Sequence, residues 1–271
     1  MVILVSALIL GGLGLLFGAA LAFASKKFCV VSDPRLEKVL HELPGANCGA
    51  CGMPGCMGFA EGLLHGTCTV EKCAVLKEDQ RYQIADILGV KAQEKVKKVA
   101  VLHCHGGTKR AKLKFIYRGL ETCTAVSLVM QGPQSCVWGC IGYGDCVRIC
   151  PFGAITTGDE GLPVVDQDKC LACGKCVEGC PKQLFTLVPA DKTYAVRCKS
   201  ADLGKIVMQA CTIGCISCFK CQKSCPVGAI KVVDNLAVID YNICTNSGEC
   251  YRVCPTKAIA KKEAKRWRTK G

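Results

Sequence analysis

The sequence lacks a phosphate-binding loop and any flavin or nicotinamide motif. Glycines are frequent near the N terminus, at Gly11, Gly12, Gly14 and Gly18, but all four lie within an apolar run. A dinucleotide-binding fingerprint needs a strand before its glycines and a helix that opens after them. The apolar run fits neither part of that pattern, so we predict that the chain itself binds no NAD.

Charged side chains are absent from residues 1–25. The run is long enough for one transmembrane helix. Lys26 and Lys27 follow it at once, and positive residues mark the cytoplasmic side of a span, so we expect the rest of the chain in the cytoplasm. A cleaved signal peptide is the alternative, because Ala22-Phe23-Ala24 resembles a cleavage site, but a basic n-region is missing. A single span cannot pump ions, so any transport requires partner subunits.

Cysteine is abundant, with 25 residues in a chain of 271. In a short secreted chain this number would indicate a disulfide scaffold. Here the cysteines form C-x-x-C-x-x-C groups that are closed by Cys-Pro, which is the spacing of iron–sulfur ligands. Thiolates in this number need a reducing compartment while clusters are built, which again favours the cytosol.

The formal net charge of +13 counts every cysteine as neutral. A [4Fe-4S] cluster with four thiolates carries roughly −2 in its oxidised form, so several clusters offset much of the basic excess. The charge is therefore weak support for nucleic acid, and we predict no nucleic-acid partner.

The first cysteine group lies in the segment NCGACGMPGC, between two short predicted helices at 33–40 and 59–64. The glycines of this segment let the backbone wrap closely around a cofactor. Cys68 and Cys73 compete for the fourth position, and we favour Cys73. A zinc site is the alternative to a [4Fe-4S] cluster. The predicted ligands are Cys48, Cys51, Cys56 and Cys73.

Two further runs resemble those of a two-cluster ferredoxin, in which the fourth cysteine of each run ligates the other cluster. Tyr143 occupies the usual middle position of the first run, so Cys136 is expected to substitute there. The first predicted ligand set is Cys136, Cys140, Cys146 and Cys180. The second is Cys150, Cys170, Cys173 and Cys176.

The same arrangement recurs later in the chain, where CPFGAI at 150–155 is matched by CPVGAI at 225–230. We interpret this as an internal duplication of a ferredoxin-like unit. One further set is complete: Cys215, Cys218, Cys221 and Cys254. The other has Cys225, Cys244 and Cys250, with Ser247 at the expected fourth position. A cubane with an unusual ligand, for which Cys211 is a candidate, a three-iron cluster and no cluster remain alternatives.

Some cysteines stay without a predicted role. Cys104 lies between His103 and His105, where a packed thiol is favoured over a mixed histidine and cysteine metal site. The others are Cys29, Cys123 and Cys198. The basic end of the chain is suited to anionic lipid or to an acidic ferredoxin, and a solvated end is the alternative.

These patterns predict an α+β fold with four or five [4Fe-4S] clusters. The N-terminal transmembrane helix covers 1–25, and a small helical 4Fe-4S module covers 31–90. The remaining predicted segments are a linker with strands (91–130), two ferredoxin-like units (131–190 and 195–260) and a basic tail (261–271).

An uncharged helix, a C-G-A-C-G-x-x-G-C module and tandem ferredoxin units together resemble the iron–sulfur B subunit of the Rnf complex, the ion-translocating ferredoxin:NAD oxidoreductase. The most specific phrases are ANCGACGMPGCMGFAEGL at 46–63 and GCIGYGDCVRICPFGAI at 139–155, and the resemblance covers nearly the whole chain. It is similar to the longer form, which has a second ferredoxin pair. Ser247 departs from the expected cysteine.

The resemblance implies a subunit that accepts electrons from soluble ferredoxin and relays them to membrane and NAD-binding subunits, coupled to Na⁺ or H⁺ translocation. It implies no catalytic residue and no complete active site on this chain alone. A ferredoxin-like subunit of a membrane hydrogenase or of a corrinoid-linked complex is the alternative, and a structural zinc protein is a third.

Overall fold

The computed structural model describes residues 2–27, 33–91, 96–158 and 160–262. Cys29 and the greater part of the predicted basic tail lie outside the described residues. Within the described part, the fold consists of one long helix, a helical module and two related α+β units.

The predicted transmembrane helix is present as α1, Val2–Lys27. Its segment Leu8–Lys27 is long and apolar enough to cross a membrane, and none of it is buried against the rest of the chain. Exposed apolar area costs about 25 cal/mol per Å² in water. The helix therefore needs an apolar environment that the chain itself does not supply, which indicates association with a membrane.

The helical module follows, with a core around Val39, Phe59 and Ile84, all fully buried. Asp33 caps its first helix by accepting a hydrogen bond from the backbone N–H of Arg35, which satisfies one of the open donors at a helix start. The elements are α2 (Pro34–Glu42), α3 (Gly55–Leu64), a 3₁₀ turn (Val70–Lys72) and α4 (Glu78–Leu88).

The first ferredoxin-like unit has an outer pair of antiparallel strands and an inner hairpin. Its elements are β1 (Lys98–Leu102), α7 (Asp145–Arg148), β2 (Ile155–Thr157), β3 (Pro163–Val165), α8 (Lys175–Glu178) and β4 (Phe185–Pro189). Strand β1 pairs with β4, and β2 pairs with β3. The sequence analysis placed β1 in a linker, whereas the structure makes it the first strand of this unit. Nothing near β1 in the sequence reveals its partner, because β4 comes much later in the chain.

The second unit repeats the order of the first. Its elements are β5 (Tyr194–Val196), α10 (Lys220–Lys223), β6 (Ile230–Val233), β7 (Leu236–Ile239), α11 (Glu249–Val253) and β8 (Ile259–Lys261). Strand β5 pairs with β8, and β6 pairs with β7, all antiparallel. The predicted duplication is thus visible in strand order as well as in cysteine spacing.

Each unit carries an insertion between its first strand and its cysteine run. The elements of the first insertion are α5 (Gly107–Arg110) and α6 (Cys123–Leu128), and that of the second is α9 (Gly204–Ala210). The insertions meet through backbone hydrogen bonds, from Lys112 N–H to the Ala210 carbonyl (3.0 Å) and from Thr212 N–H to the Arg110 carbonyl (3.1 Å). The two units are therefore joined where their insertions touch.

Candidate iron–sulfur centres

Many of the described cysteines line cavities. No disulfide joins any two of them, and in the described residues no three His, Cys, Asp or Glu side chains are placed to hold one metal ion. Four thiolates on a zinc ion lie about 3.8 Å apart, given Zn–S bonds of about 2.3 Å. No group of ligand-type side chains in the described residues has that arrangement, which disfavours the zinc alternatives.

The first cavity lies in the helical module and is lined by the four predicted cysteines, Cys48, Cys51, Cys56 and Cys73. Its loop is shaped by left-handed backbone at Gly49, Gly52 and Gly55, with φ of 67°, 81° and 83°, a region that glycine adopts without steric cost. The side-chain oxygen of Asn47 accepts a hydrogen bond from the Cys56 N–H at 2.7 Å. This bond closes the loop, so that its cysteines line one side of a single cavity.

Cys68 occupies a different environment from the four cysteines of this cavity. Its thiol is buried and donates to the carbonyl oxygen of Phe59 at 3.6 Å. Burial raises the pKa of both Cys68 and Cys73, so the position of the two thiols, rather than their pKa, distinguishes them. Cys73 instead lines the cavity directly after the 3₁₀ turn, so the geometry favours Cys73 as the fourth ligand.

The next cavity, in the first ferredoxin-like unit, differs from the sequence prediction at one position. It is lined by Cys123, Cys140, Cys146 and Cys180. Cys136, which the sequence analysis assigned to this set, lines a separate cavity. Burial raises the pKa of Cys146 to about 12, and the nearby Cys123 and Cys180 contribute to the increase.

The first insertion explains the exchange of Cys136 for Cys123. Cys123 begins helix α6, and the N–H and hydroxyl of Thr124 both donate to Asp145 Oδ2, at 3.1 and 3.3 Å. These bonds hold α6 against the start of α7. Tyr143 contacts Tyr117 edge-on, with ring centroids 6.3 Å apart. These contacts place Cys123 at the cavity that also receives Cys140, Cys146 and Cys180.

The cysteines of the second predicted set of this unit lie near one another. Burial raises the pKa of Cys176 to about 12, and its neighbours Cys170, Cys173 and Cys150 contribute to the increase. The N–H of Ala100 donates to Cys170 Sγ at 3.4 Å. Burial also raises the pKa of Cys173, and the nearby Cys48 contributes. This set therefore lies beside the cavity of the helical module.

The second unit has a cavity that is lined by four cysteines of one predicted set, Cys215, Cys218, Cys221 and Cys254. Burial raises the pKa of Cys221 to about 11, whereas Cys218 is exposed. The residues on either side of Cys218, Ser217 and Phe219, have φ of 54° and 59°. The loop thus brings one edge of this set to the protein surface.

The last set gathers three thiols. Burial raises the pKa of Cys250, and Cys244 and Cys225 raise it further. Ser247 is exposed. The N–H of Ala229 donates to Cys225 Sγ at 3.3 Å. Cys211, the candidate substitute, lines another cavity instead, so the structure does not support it as a ligand here.

The cavity that contains Cys136 also receives cysteines for which the sequence analysis found no role. It is lined by Cys104, Cys136, Cys198 and Cys211, and Cys140 reaches it as well. One signal was present in the sequence, because Cys211-x3-Cys215 repeats Cys136-x3-Cys140. Nothing in the spacing linked these pairs to Cys104 or Cys198.

Family models match the three cysteine-rich regions of the chain. Residues 43–75 match a putative Fe-S cluster family, and residues 138–185 and 214–263 each match a 4Fe-4S dicluster domain family. Together with the cavities, these matches define an iron–sulfur protein with one cluster-binding module and two ferredoxin-like units.

Curated relatives extend over nearly the whole chain. The chain is 44% identical over 258 residues to the B subunit of the Na⁺-translocating ferredoxin:NAD⁺ oxidoreductase complex of Acetobacterium woodii, covering 95% of this chain and 78% of that protein. It is 39% identical to the B subunit of the ion-translocating oxidoreductase complex of Methanosarcina acetivorans, covering 95% and 98%. The B subunit of the proton-translocating ferredoxin:NAD⁺ oxidoreductase complex of Clostridium ljungdahlii is 39% identical, covering 91% and 88%. The chain belongs to the family of B subunits of ion-translocating oxidoreductase complexes.

The choice between Cys73 and Cys68 gives a direct test. We expect Cys73→Ala to lower the iron content of the anaerobically purified chain by about four atoms, because one cubane loses a ligand. The matched control Cys68→Ala removes a buried thiol outside the cavity and should leave iron unchanged. Iron and acid-labile sulfide analysis distinguishes the variants, and the opposite pattern would identify Cys68 as the ligand.

Proposed function

We propose that this chain is the electron-transfer subunit of a membrane complex that couples ferredoxin oxidation and NAD reduction to Na⁺ or H⁺ translocation. The observation that carries the proposal is a series of neighbouring cysteine-lined cavities through the helical module and both ferredoxin-like units. Clusters bound there would accept and release single electrons. The names of the relatives support the coupled activity.

The proposed [4Fe-4S] ligands are the cysteines that the cavities and mutual contacts bring together. In the helical module they are Cys48, Cys51, Cys56 and Cys73. In the first unit they are Cys123, Cys140, Cys146 and Cys180, and then Cys150, Cys170, Cys173 and Cys176. In the second unit they are Cys215, Cys218, Cys221 and Cys254. The set of Cys225, Cys244 and Cys250 supplies three thiolates for the last site.

The helical module is placed to exchange electrons with the first unit. Phe152 and Leu171 of that unit pack against the core of the module. Cys48 is close enough to Cys173 to affect its pKa. Because the module also follows the membrane helix in the sequence, we propose that electrons leave through it toward membrane and NAD-binding subunits.

The second unit suits an encounter with soluble ferredoxin. Cys218 is exposed, and Lys220 and Lys223 lie on the adjacent helix α10. Soluble ferredoxins are generally acidic, and a basic rim attracts an acidic partner and speeds its association. We therefore propose that electrons enter at the set that contains Cys218.

We further propose that α1 is retained as a single span, surrounded by membrane lipid, with the cluster-bearing units in the cytoplasm. The basic pair Lys26 and Lys27 ends the helix, and such residues favour the cytoplasmic side. The segment Leu8–Lys27 is not covered by the described part of the chain. Partner subunits must supply the ion pathway, because one helix encloses none.

Replacement of Cys51 by alanine tests the direction of electron flow. We expect the Cys51→Ala complex to keep its other clusters reducible by ferredoxin, because entry lies in the second unit. Transfer to the remaining subunits and to NAD should be lost. Stopped-flow absorbance of the clusters and NADH formation measure the two steps, with Cys68→Ala as control. Loss of ferredoxin reduction with the other clusters intact would reverse the proposed direction.

Sidedness is tested with Cys29, which follows Lys27 closely in the sequence. A membrane-impermeant thiol reagent applied outside intact cells should leave Cys29 unlabelled, and should label it in inverted membrane vesicles. Labelling in intact cells would place the cysteine-rich part outside and contradict the cytoplasmic assignment.

A further inference from the structure

One cavity lies between the two ferredoxin-like units, and four of the five cysteines that line it belong to none of the sets assigned above. Each unit contributes two of its cysteines: Cys104 and Cys136 come from the first, and Cys198 and Cys211 from the second. Cys104 and Cys211 are buried, and the other two are partly buried. Four thiols therefore converge on a space that belongs to neither unit alone.

The first cysteine of each pair occupies the same place in its unit. Cys104 comes two residues after the end of β1, and Cys198 comes two residues after the end of β5. The residue between the strand end and the cysteine makes the same kind of backbone hydrogen bond in both units. His103 N–H donates to the Leu184 carbonyl and Arg197 N–H donates to the Ala258 carbonyl, each at 2.7 Å. The duplication therefore extends to these two cysteines.

The second cysteine of each pair is also equivalent. Cys136 lies four residues before Cys140, and Cys211 lies four residues before Cys215. One short backbone strip holds both of them, because the Lys112 carbonyl accepts from Ser135 N–H at 2.7 Å while Ala111 forms an antiparallel bridge with Cys211. The four cysteines are thus two equivalent pairs, one from each unit.

The sulfur atoms are surrounded as cluster ligands are. The Cys140 N–H donates to Cys104 Sγ at 3.4 Å, and the Ser200 N–H donates to Cys198 Sγ at 3.5 Å. Such hydrogen bonds help to set cluster potential. Arg197 and Lys199 line the same cavity, and their positive charge favours thiolates there.

Cys136 lines the cavity together with the other three thiols. Burial raises the pKa of Cys136 to about 12, and Cys198, Cys104 and Cys211 each contribute to the increase. His103 also lines the cavity, but its Nδ1 donates to the Val196 carbonyl and its Nε2 lies 2.6 Å from Thr186 Oγ1. Both ring nitrogens of His103 are engaged, so His103 is disfavoured as a ligand of this site.

We propose that Cys104, Cys136, Cys198 and Cys211 ligate an additional [4Fe-4S] cluster that bridges the two ferredoxin-like units. A single zinc ion does not fit, because no three of the described ligand-type side chains are placed to share one ion. A cubane with four thiolate ligands matches the donor set of four cysteines. This cluster adds about four iron atoms to the content that the other sets predict.

The position of the site suits it to pass electrons between the two units, a role that rests on the electron-transfer function proposed above. Cys140 lines both this cavity and that of the first unit. On the other side, the backbone of Cys215 forms a hydrogen bond with Cys198. A single electron that enters from reduced ferredoxin at the Cys215 set thus has an intermediate acceptor on its way to the first unit.

The site is tested by single alanine variants from both units. Cys104→Ala and Cys198→Ala, made in the full chain and purified anaerobically, should each lose about four iron atoms and four sulfides. A double variant should lose no more than either single variant, because both remove the same cluster. Cys68→Ala is the matched control and should keep its iron. Mössbauer spectra should show one fewer cubane, with the remaining signals intact.

Several results would overturn the site. Unchanged iron in both single variants would exclude it, and so would stoichiometric zinc in the unmodified chain. Loss of two iron atoms rather than four would reject a cubane. Additive loss in the double variant would place the two cysteines in different clusters. These readouts do not depend on turnover, so they stay separate from the Cys51→Ala test of the overall function.

The bridging role has its own readout in the same variants. After rapid mixing with reduced ferredoxin, Cys198→Ala should still show reduction of the clusters of the second unit, while those of the first unit and the helical module stay oxidised. Wild-type reduction of all clusters in a variant that has lost four iron atoms would contradict the bridging role.

Discussion

Coordination of iron by buried thiolates is the interaction on which this architecture depends. All four sheets in the described part of the chain are two-stranded, and an isolated two-stranded sheet is marginally stable in water. The helices of the ferredoxin-like units are short, and cysteines make up part of each hydrophobic core. With metal bound to these thiols, the free energy of coordination becomes folding free energy.

The duplication gives the chain two copies of one unit and also a site between them. Each copy has an insertion after its first strand, and the insertions join through Lys112 and Ala210. Because equivalent cysteines follow equivalent strands, joining the copies brings Cys104 and Cys198 to one cavity. The contact between the insertions thus lies beside a site between the two units.

The features that are local or that follow a known spacing could be predicted from the sequence. The cysteine runs predicted the sets around Cys48, Cys170 and Cys215, and the uncharged N-terminal run predicted α1. Long-range contacts were missed. The insertion that places Cys123 at the cavity of the first unit has no local signature in the sequence. Its position depends on the contact of Thr124 with Asp145. Strand β1 was likewise placed in a linker, because its partner β4 lies far along the chain.

Hydrogen–deuterium exchange of the loaded and the cluster-free chain, both in detergent and without oxygen, tests the central claim most directly. If thiolate coordination holds the fold together, removal of the clusters by a chelator should abolish protection across β1 to β8 and leave α1 protected by its detergent shell. Strand amides that remain as protected in the cluster-free chain as in the loaded one would show that packing alone maintains the fold, which would contradict this account.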